Sequence, residues 1–568
     1  MSIGKLAFEC KKGIRGIKAR VIISNALMMN ACLVQFIFVG LLTLFTGEIS
    51  AWANVYATNI KINGSTNNAV LTPGALVNVS YVLNEDATSG IIFQIMRGAD
   101  VVLRTNLDSG VAGTLRGTNL LTWDGTNSAG TFSEDGIYTV SITAAASGFD
   151  SWTKISDDSN PGNQVWDPYG IAVNQNIHSP YYGRVFVGNA MSSIIPDQQN
   201  GVYIFNADCS YSDEGGFDQT DYMWFGFMRS PWKMQVAKDD RLYVCDWSSY
   251  GTILGFDQIV SNYVVVLNSD NRLTNSADFN SVAVSVNDME TSVWMGDANT
   301  NCSLGIVRWN VTPQGMVLEG DTGHVVVAAG VGSDLSEAPW DITVDKQGHI
   351  YTIQKIDSTT NLAYRVLRFT PSIDGTPVTN ADWKVNGLEG QNSSAEEITN
   401  VFKYVYGIAV NSEGTLLAVA SRGGSELQNG GVIIMDAISG AIITYINSSA
   451  ESSYIDVAWD NVGNVYGTQE ELWEVYSPPG PNQATTIAVP SIQVVQTLLP
   501  PILSLPQGDL EQVQFTLTGQ PNMTYVIEAS VDLTNWTACA TNYSTLPVRN
   551  VQLPAPEELV FYRARSLQ

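Results

Sequence analysis

The sequence predicts an all-β chain organised around a six-bladed β-propeller, and three observations carry that expectation. First, one six-residue phrase returns six times: PYGIAV at 168–173, PWKMQV at 231–236, FNSVAV at 279–284, PWDITV at 339–344, VYGIAV at 405–410 and YIDVAW at 454–459. The copies end 63, 48, 60, 66 and 49 residues apart, the length of a four-stranded blade with loops of uneven size. Second, each copy is followed by another apolar strand, such as RVFV at 184–187 and RLYV at 241–244. A third strand then ends in a large apolar residue and a small polar one, from Phe205-Asn206 in the first repeat to Tyr476-Ser477 in the last. Third, β-branched and aromatic residues alternate between Gly, Asn and Asp punctuation with no competing 3.6-residue stripe, so helix should be scarce.

In chain order, residues 1–53 read as an export signal. Lys5, Lys11, Lys12, Arg15, Lys18 and Arg20 precede an apolar run from Ala26 to Phe45, and Ala51-Trp52-Ala53 offers a small-x-small cleavage site. The run is also long enough to span a bilayer, so a retained anchor is the alternative. Residues 54–148 form a separate β module, clearest at Leu121-Thr122-Trp123-Asp124-Gly125 and at Gly136-Ile137-Tyr138. Trp123 and Tyr138 are expected to fill its core, with 124–130 as a hairpin turn. The phrase resembles the Ig-like domain of flagellar hook-capping proteins, which implies a β-sandwich and no particular chemistry.

Residues 149–478 hold the propeller, with stretches near 152–156 and 485–489 as candidates to close its ring. Its repeats resemble those of NHL-type and gluconolactonase-like propellers, closest at Arg241-Leu242-Tyr243-Val244-Cys245-Asp246 and at Asp345-Lys346-Gln347-Gly348-His349-Ile350-Tyr351. Residues 479–498, marked by Pro479, Pro481 and Pro490, are expected to be a linker, because proline fixes φ and removes a donor. Residues 499–568 contain Tyr525-Val526-Ile527-Glu528-Ala529-Ser530 and Leu533-Thr534-Asn535-Trp536. They resemble a short C-terminal β-sandwich module of secreted bacterial proteins, which implies a secreted or cell-surface protein.

Composition narrows the partners. Hydrophobic residues make up 45% of the chain and charged ones 15%, enough to bury several cores. The formal charge of −27 repels phosphate backbones and anionic lipid, so nucleic acid is excluded and a membrane is reached only through an uncleaved N-terminal segment. The three histidines lack zinc-ligand spacing, and no G-x-S-x-G elbow is present.

The repeat also places a site. Antiparallel neighbours bring the start of each inner strand beside the end of the second strand, at one mouth of the central channel. Position two of the phrase supplies Tyr169, Trp232, Asn280, Trp340, Tyr406 and Ile455, and the second strands end in Asn189, Asp246, Asp297, Gln354, Ala420 and Gln469. Tyr169, Trp232, Trp340, Tyr406, Gln354 and Gln469 are the candidate ligand-binding set, suited to stacking on sugar rings. Asn189, Asp246 and Asp297 are the candidate oxygen ligands for calcium or another divalent cation. The competing reading has the aromatics pack between blades and the polar groups cap turns. The expected function is that of an exported, non-catalytic binding or structural protein. Its propeller would serve surface display, adhesion, polysaccharide capture or extracellular assembly, with a polymer, glycan or protein partner and self-assembly through sheet edges. The gluconolactonase resemblance implies the alternative, a metal-dependent lactonase or hydrolase at the channel mouth.

Overall fold

The computed structural model describes residues 54–566 apart from short internal stretches, the longest of which are 387–404, 269–278, 298–304 and 423–429. The expected export segment, residues 1–53, lies outside the described residues. Among those described, the one helical element is a 3-10 turn at Pro161–Asn163, and no helix is long and apolar enough to cross a membrane.

Six antiparallel sheets follow one another as blades. Blade 1 consists of Pro168–Val173, Val185–Asn189 and Gly201–Phe205, with Tyr211 and Phe217 bridging to its third strand where a fourth would lie. Blade 2 is Met234–Val236, Leu242–Asp246, Thr252–Phe256 and Tyr263–Leu267, and blade 3 is Phe279–Val286, Thr291–Asp297, Gly305–Val311 and His324–Ala328. Blade 4 is Pro339–Val344, Ile350–Ser358, Asn361–Phe369 and Trp383–Asn386, and blade 5 is Val405–Val410, Leu416–Ser421, Gly430–Asp436 and Ile442–Ser449. Blade 6 takes Tyr454–Trp459, Val465–Gln469 and Leu472–Ser477, and its outermost strand is Thr153–Lys154 from before blade 1.

The ring therefore closes through the first of the two candidate segments. The amide of Ile155 donates to the Val475 carbonyl at 2.9 Å and the Trp473 indole to the Gly162 carbonyl at 2.7 Å. Six apolar clusters occupy the six blade junctions, because strand alternation sends successive side chains to opposite neighbours. At the closing junction, Tyr466, Trp473 and Val475 of blade 6 pack on Ile171, Val185 and Phe205 of blade 1.

Position two of the phrase carries a bulge. The register between inner and second strands shifts there in blades 1, 3, 4, 5 and 6, so position one faces the end of the second strand and position two is left over. An extra residue of this kind re-aims its side chain and leaves the next one facing the channel. Opposite position one stand Asn189, Asp297, Gln354, Ser421 and Gln469, so in blade 5 the serine takes the place expected for Ala420.

The turns after the inner strands are braced alike in blades 4 and 6. Asp345 accepts from the amides of Gln347 and His349, from the Tyr351 hydroxyl, and pairs with His349 Nδ1 at 2.8 Å. Asp460 does the same with the amides of Val462 and Asn464, the Asn464 side chain and Tyr466. His349 thus occupies the place of Asn464 in a turn, which accounts for the part-buried His–Asp contact.

Ahead of the propeller, two sheets share one core. One holds Ala57–Ile62, Val77–Leu83 and Gly117–Trp123; the other runs in the order Ala69–Leu71, Gln483–Val494, Gly136–Ala146, Gly90–Arg97 and Asp100–Leu107. Trp123 and Tyr138 are buried in that core with ring centroids 5.6 Å apart. Gln483–Val494 corrects the expected linker, 479–498, because it pairs along Gly136–Ala146 for almost its whole length. Pro490 sits where the register shifts, at a bulge, one of the few places a strand accepts proline. The same core takes in Tyr182, Ala207 and Val462 from the propeller. The last strands, from Ile502–Leu503 to Phe561–Ser566, pair only with one another among the described residues and enclose a core of Phe515, Leu517, Tyr525, Ile527, Val551 and Leu553. Cys209 and Cys539 are free thiols; Cys302 lies outside the described residues.

Candidate functional site: the channel and its aromatic mouth

Position three of the phrase, just past the bulge, is occupied by Gly170, Lys233, Ser281, Asp341, Gly407 and Asp456 in blades 1 to 6. Lys233, Asp341 and Asp456 line one cavity in the channel. Lys233 Nζ lies 2.8 Å from Asp456 Oδ1 and 3.7 Å from Asp341 Oδ2, and it donates to the Ile455 carbonyl at 3.0 Å. All three charged side chains are buried. Asp456 Oδ2 also accepts the Ile171 amide at 3.0 Å, and Asp341 accepts the amides of Ile408 and Ile342, both at 2.9 Å.

Burial pushes both carboxyls above the usual carboxylate range; Lys233 opposes the shift in each, and the Asp456 charge reinforces it in Asp341. Two acids facing one ammonium leave a surplus negative charge among buried groups, which is costly unless the acids retain a proton. The cavity around the triad encloses about 70 Å³ and is lined by Ile171, Lys233, Asp341, Ile408, Asp456 and Trp459, among others. That is room for a few water molecules or a small ion and well below the ~300 Å³ at which small-molecule pockets begin.

The aromatic side chains expected at the mouth do gather there. Tyr169 and Trp232 have centroids 5.1 Å apart, Trp232 and Trp340 6.3 Å, and Trp340 and Tyr406 5.6 Å. Trp247, which follows the second strand of blade 2, completes the group at 5.0 Å from Trp232 and 5.5 Å from Trp340. Trp232 is fully buried beneath the others, with Lys233 Nζ 5.0 Å from its ring, while Tyr169, Trp247, Trp340 and Tyr406 are half-buried. Trp340 meets Trp232, Trp247 and Tyr406 edge to face and the other two contacts are tilted, so the group presents a partly exposed aromatic rim. Arg422 and Glu470 form an ion pair at the same end.

The polar candidates are dispersed among local bonds. The Asn189 side chain accepts from the Asp167 amide at 3.0 Å and donates to the Gln199 carbonyl at 2.8 Å. Asp246 accepts the Tyr222 hydroxyl; Asp297 pairs with Phe279 in the backbone register, and its side chain lies outside the described residues. Gln354 is buried; in the orientation that satisfies both ends of its amide it accepts from the amides of Ser336 and Glu337 and donates to the Asp334 carbonyl. Gln469 is half-buried beside Tyr454. Among the described residues no three His, Cys, Asp or Glu side chains converge as a metal-binding group would.

Sequence reasoning missed the Lys233–Asp341–Asp456 triad and Trp247. The triad could have been read by continuing the alignment one position further, where large charged and small residues alternate around the ring.

No family model matches the chain, and no curated protein matches it. Among solved structures, a glucose dehydrogenase aligns with a TM-score of 0.36 at 11% identity over 58% of this chain and 99% of its own. The soluble aldose sugar dehydrogenase of Escherichia coli gives 0.34 at 10% identity, over 58% and 99%. A streptogramin B lyase gives 0.27 at 9% identity, over 59% and 100%. Likeness of that degree transfers no activity, and the propeller assignment rests on the ring of blades and its closure.

Proposed function

We propose that the chain is an exported, non-catalytic binding or structural protein whose propeller serves as a platform for an extracellular polymer, glycan or protein partner. What supports the reading is the state of the channel. Its charged side chains are engaged with one another and with backbone amides, around a cavity of about 70 Å³. The contact surface is then the half-exposed rim of Tyr169, Trp247, Trp340 and Tyr406, whose flat apolar faces suit sugar rings. A charge of −27 favours neutral polymers over acidic ones.

Affinity electrophoresis of the full chain through gels containing neutral polysaccharides tests this directly. Retardation should fall several-fold in Trp340→Ala, the loss of one aromatic stacking partner. A panel of lactones and esters with added calcium or zinc should give no turnover above the blank. Turnover that disappears in Asp246→Ala would instead support the hydrolase reading.

A further inference from the structure

The first module meets blade 6 through a buried polar seam separate from the channel. The Asn54 carbonyl accepts from Asn84 Nδ2 at 2.7 Å within the module and from Asn464 Nδ2 at 3.1 Å across the seam. Asn84 Oδ1 holds the Tyr56 amide at 2.8 Å, and the Tyr56 hydroxyl lies 3.2 Å from that of Tyr466. The Tyr466 hydroxyl in turn donates to Asp460, whose carboxylate also takes Val462 N, Asn464 N and Asn464 Nδ2.

Glu85, next to Asn84, is 7% exposed, and its Oε1 has no hydrogen-bond partner among the described residues. The groups that act on it are Asp460 from the propeller and Arg116 and Asp86 from its own module. Arg116 is committed to the carbonyls of Ile155 and Asp208, and its own backbone amide is held by Asp86. Tyr182, packed 5.0 Å from Tyr56, completes the wall. The other charges of this interface are paired: Lys61 with Asp213 at 2.6 Å and Glu214 at 3.1 Å, and Arg184 with Glu214 at 3.3 Å. A buried, unbonded carboxyl under the influence of a second carboxyl, with the guanidinium that acts on it engaged elsewhere, is accommodated as the neutral acid.

We propose that this seam is a pH-sensitive latch, tight while Glu85 carries a proton and loosened when Glu85 ionises against Asp460. Burial, and then the Asp460 charge, pushes Glu85 up to about 7, while burial raises Asp460 to about 6. An acid whose folded pKa lies above its unfolded one gives stability that is complete below the unfolded value, near 4.5 for Glu85, and is lost as pH rises through about 7. The seam is therefore tightest in acid and loosens towards pH 8.

Amide exchange in the full chain, corrected for the intrinsic pH dependence of exchange, tests the latch at residues 54–62 and 460–466. Protection there should fall about tenfold between pH 5 and 8, a pKa unit's worth or more, while the blade 3 and 4 junction keeps its own. Glu85→Gln, which fixes the neutral form, should retain protection at pH 8, and the exposed-surface control Glu413→Gln should keep the wild-type pH dependence. Equal protection of the wild-type seam at pH 5 and 8, or an unchanged pH dependence in Glu85→Gln, overturns the proposal. The wild-type comparison decides the matter even if the variant does not fold.

Discussion

Even and odd blades meet the channel on unequal terms. Blades 2, 4 and 6 bring Lys233, Asp341 and Asp456 to the third position of the phrase, whereas blades 1, 3 and 5 bring Gly170, Ser281 and Gly407. The even blades also supply the acceptors that bond the next odd blade: Asp456 takes the Ile171 amide, Gln235 the Val284 amide at 2.8 Å, and Asp341 the Ile408 amide. The odd blades must be small where the even ones cross. A Cβ on Gly170 would lie 2.2 Å from the Trp232 carbonyl oxygen, and one on Gly407 would lie 2.6 Å from Asp456 Oδ1. The contrast teaches that the six-fold ring is also three stitched pairs, which Lys233 joins through Asp456 and Asp341.

The strongest way to break this arrangement is Lys233→Met. It leaves two buried acids facing each other, and chemical denaturation at pH 7 should show a loss of about 3–5 kcal/mol. A loss under about 1 kcal/mol would mean that the acids do not depend on the ammonium. Next comes Gly170→Ala, which sets a methyl against a neighbouring backbone oxygen and should cost about 1–3 kcal/mol. The same change at the exposed Gly375, where a Cβ meets nothing within 4 Å, reports only the cost of its positive φ. The smallest effect at neutral pH belongs to Asp341→Asn, which keeps an acceptor for Ile408 and removes the surplus charge. The Asp341 carboxyl is raised by burial, so its stabilising share is complete below pH 4 and is lost as pH rises. Melting curves from pH 4 to 8 should therefore be flatter in Asp341→Asn, and an unaltered slope would remove Asp341 from the titrating set.

Much of the fold was legible because repeats repeat. Six returns of one phrase fixed the blades and their inner strands, while the closing strand was left between two candidates, 152–156 and 485–489. The aromatic mouth was legible for the same reason, as one column of that alignment. Its interior packing was not, because whether Trp232 is a rim or a floor depends on Trp247, which lies outside the phrase. The triad was missed because Lys233, Asp341 and Asp456 sit 108 and 115 residues apart in the chain, on blades 2, 4 and 6, and each looks like an ordinary polar position in its own strand. The linker was misread because Pro490 hid an alternating strand, Gln483–Val494, whose partner lies before the propeller. The seam at Glu85 was beyond reach of any local pattern, since it joins Tyr56 to Tyr466, 410 residues on.

That returning strand bears on how the protein is made. Gln483–Val494 lies between Ala69–Leu71 and Gly136–Ala146, so the flank of Gly136–Ala146 stays unpaired until the whole propeller has followed it off the ribosome or through a translocation pore. During that interval the nascent chain carries an adhesive sheet edge that would accept any passing strand. Only after the last blade has been made does the chain supply the strand that fills this edge, so the second sheet of the first module is completed last.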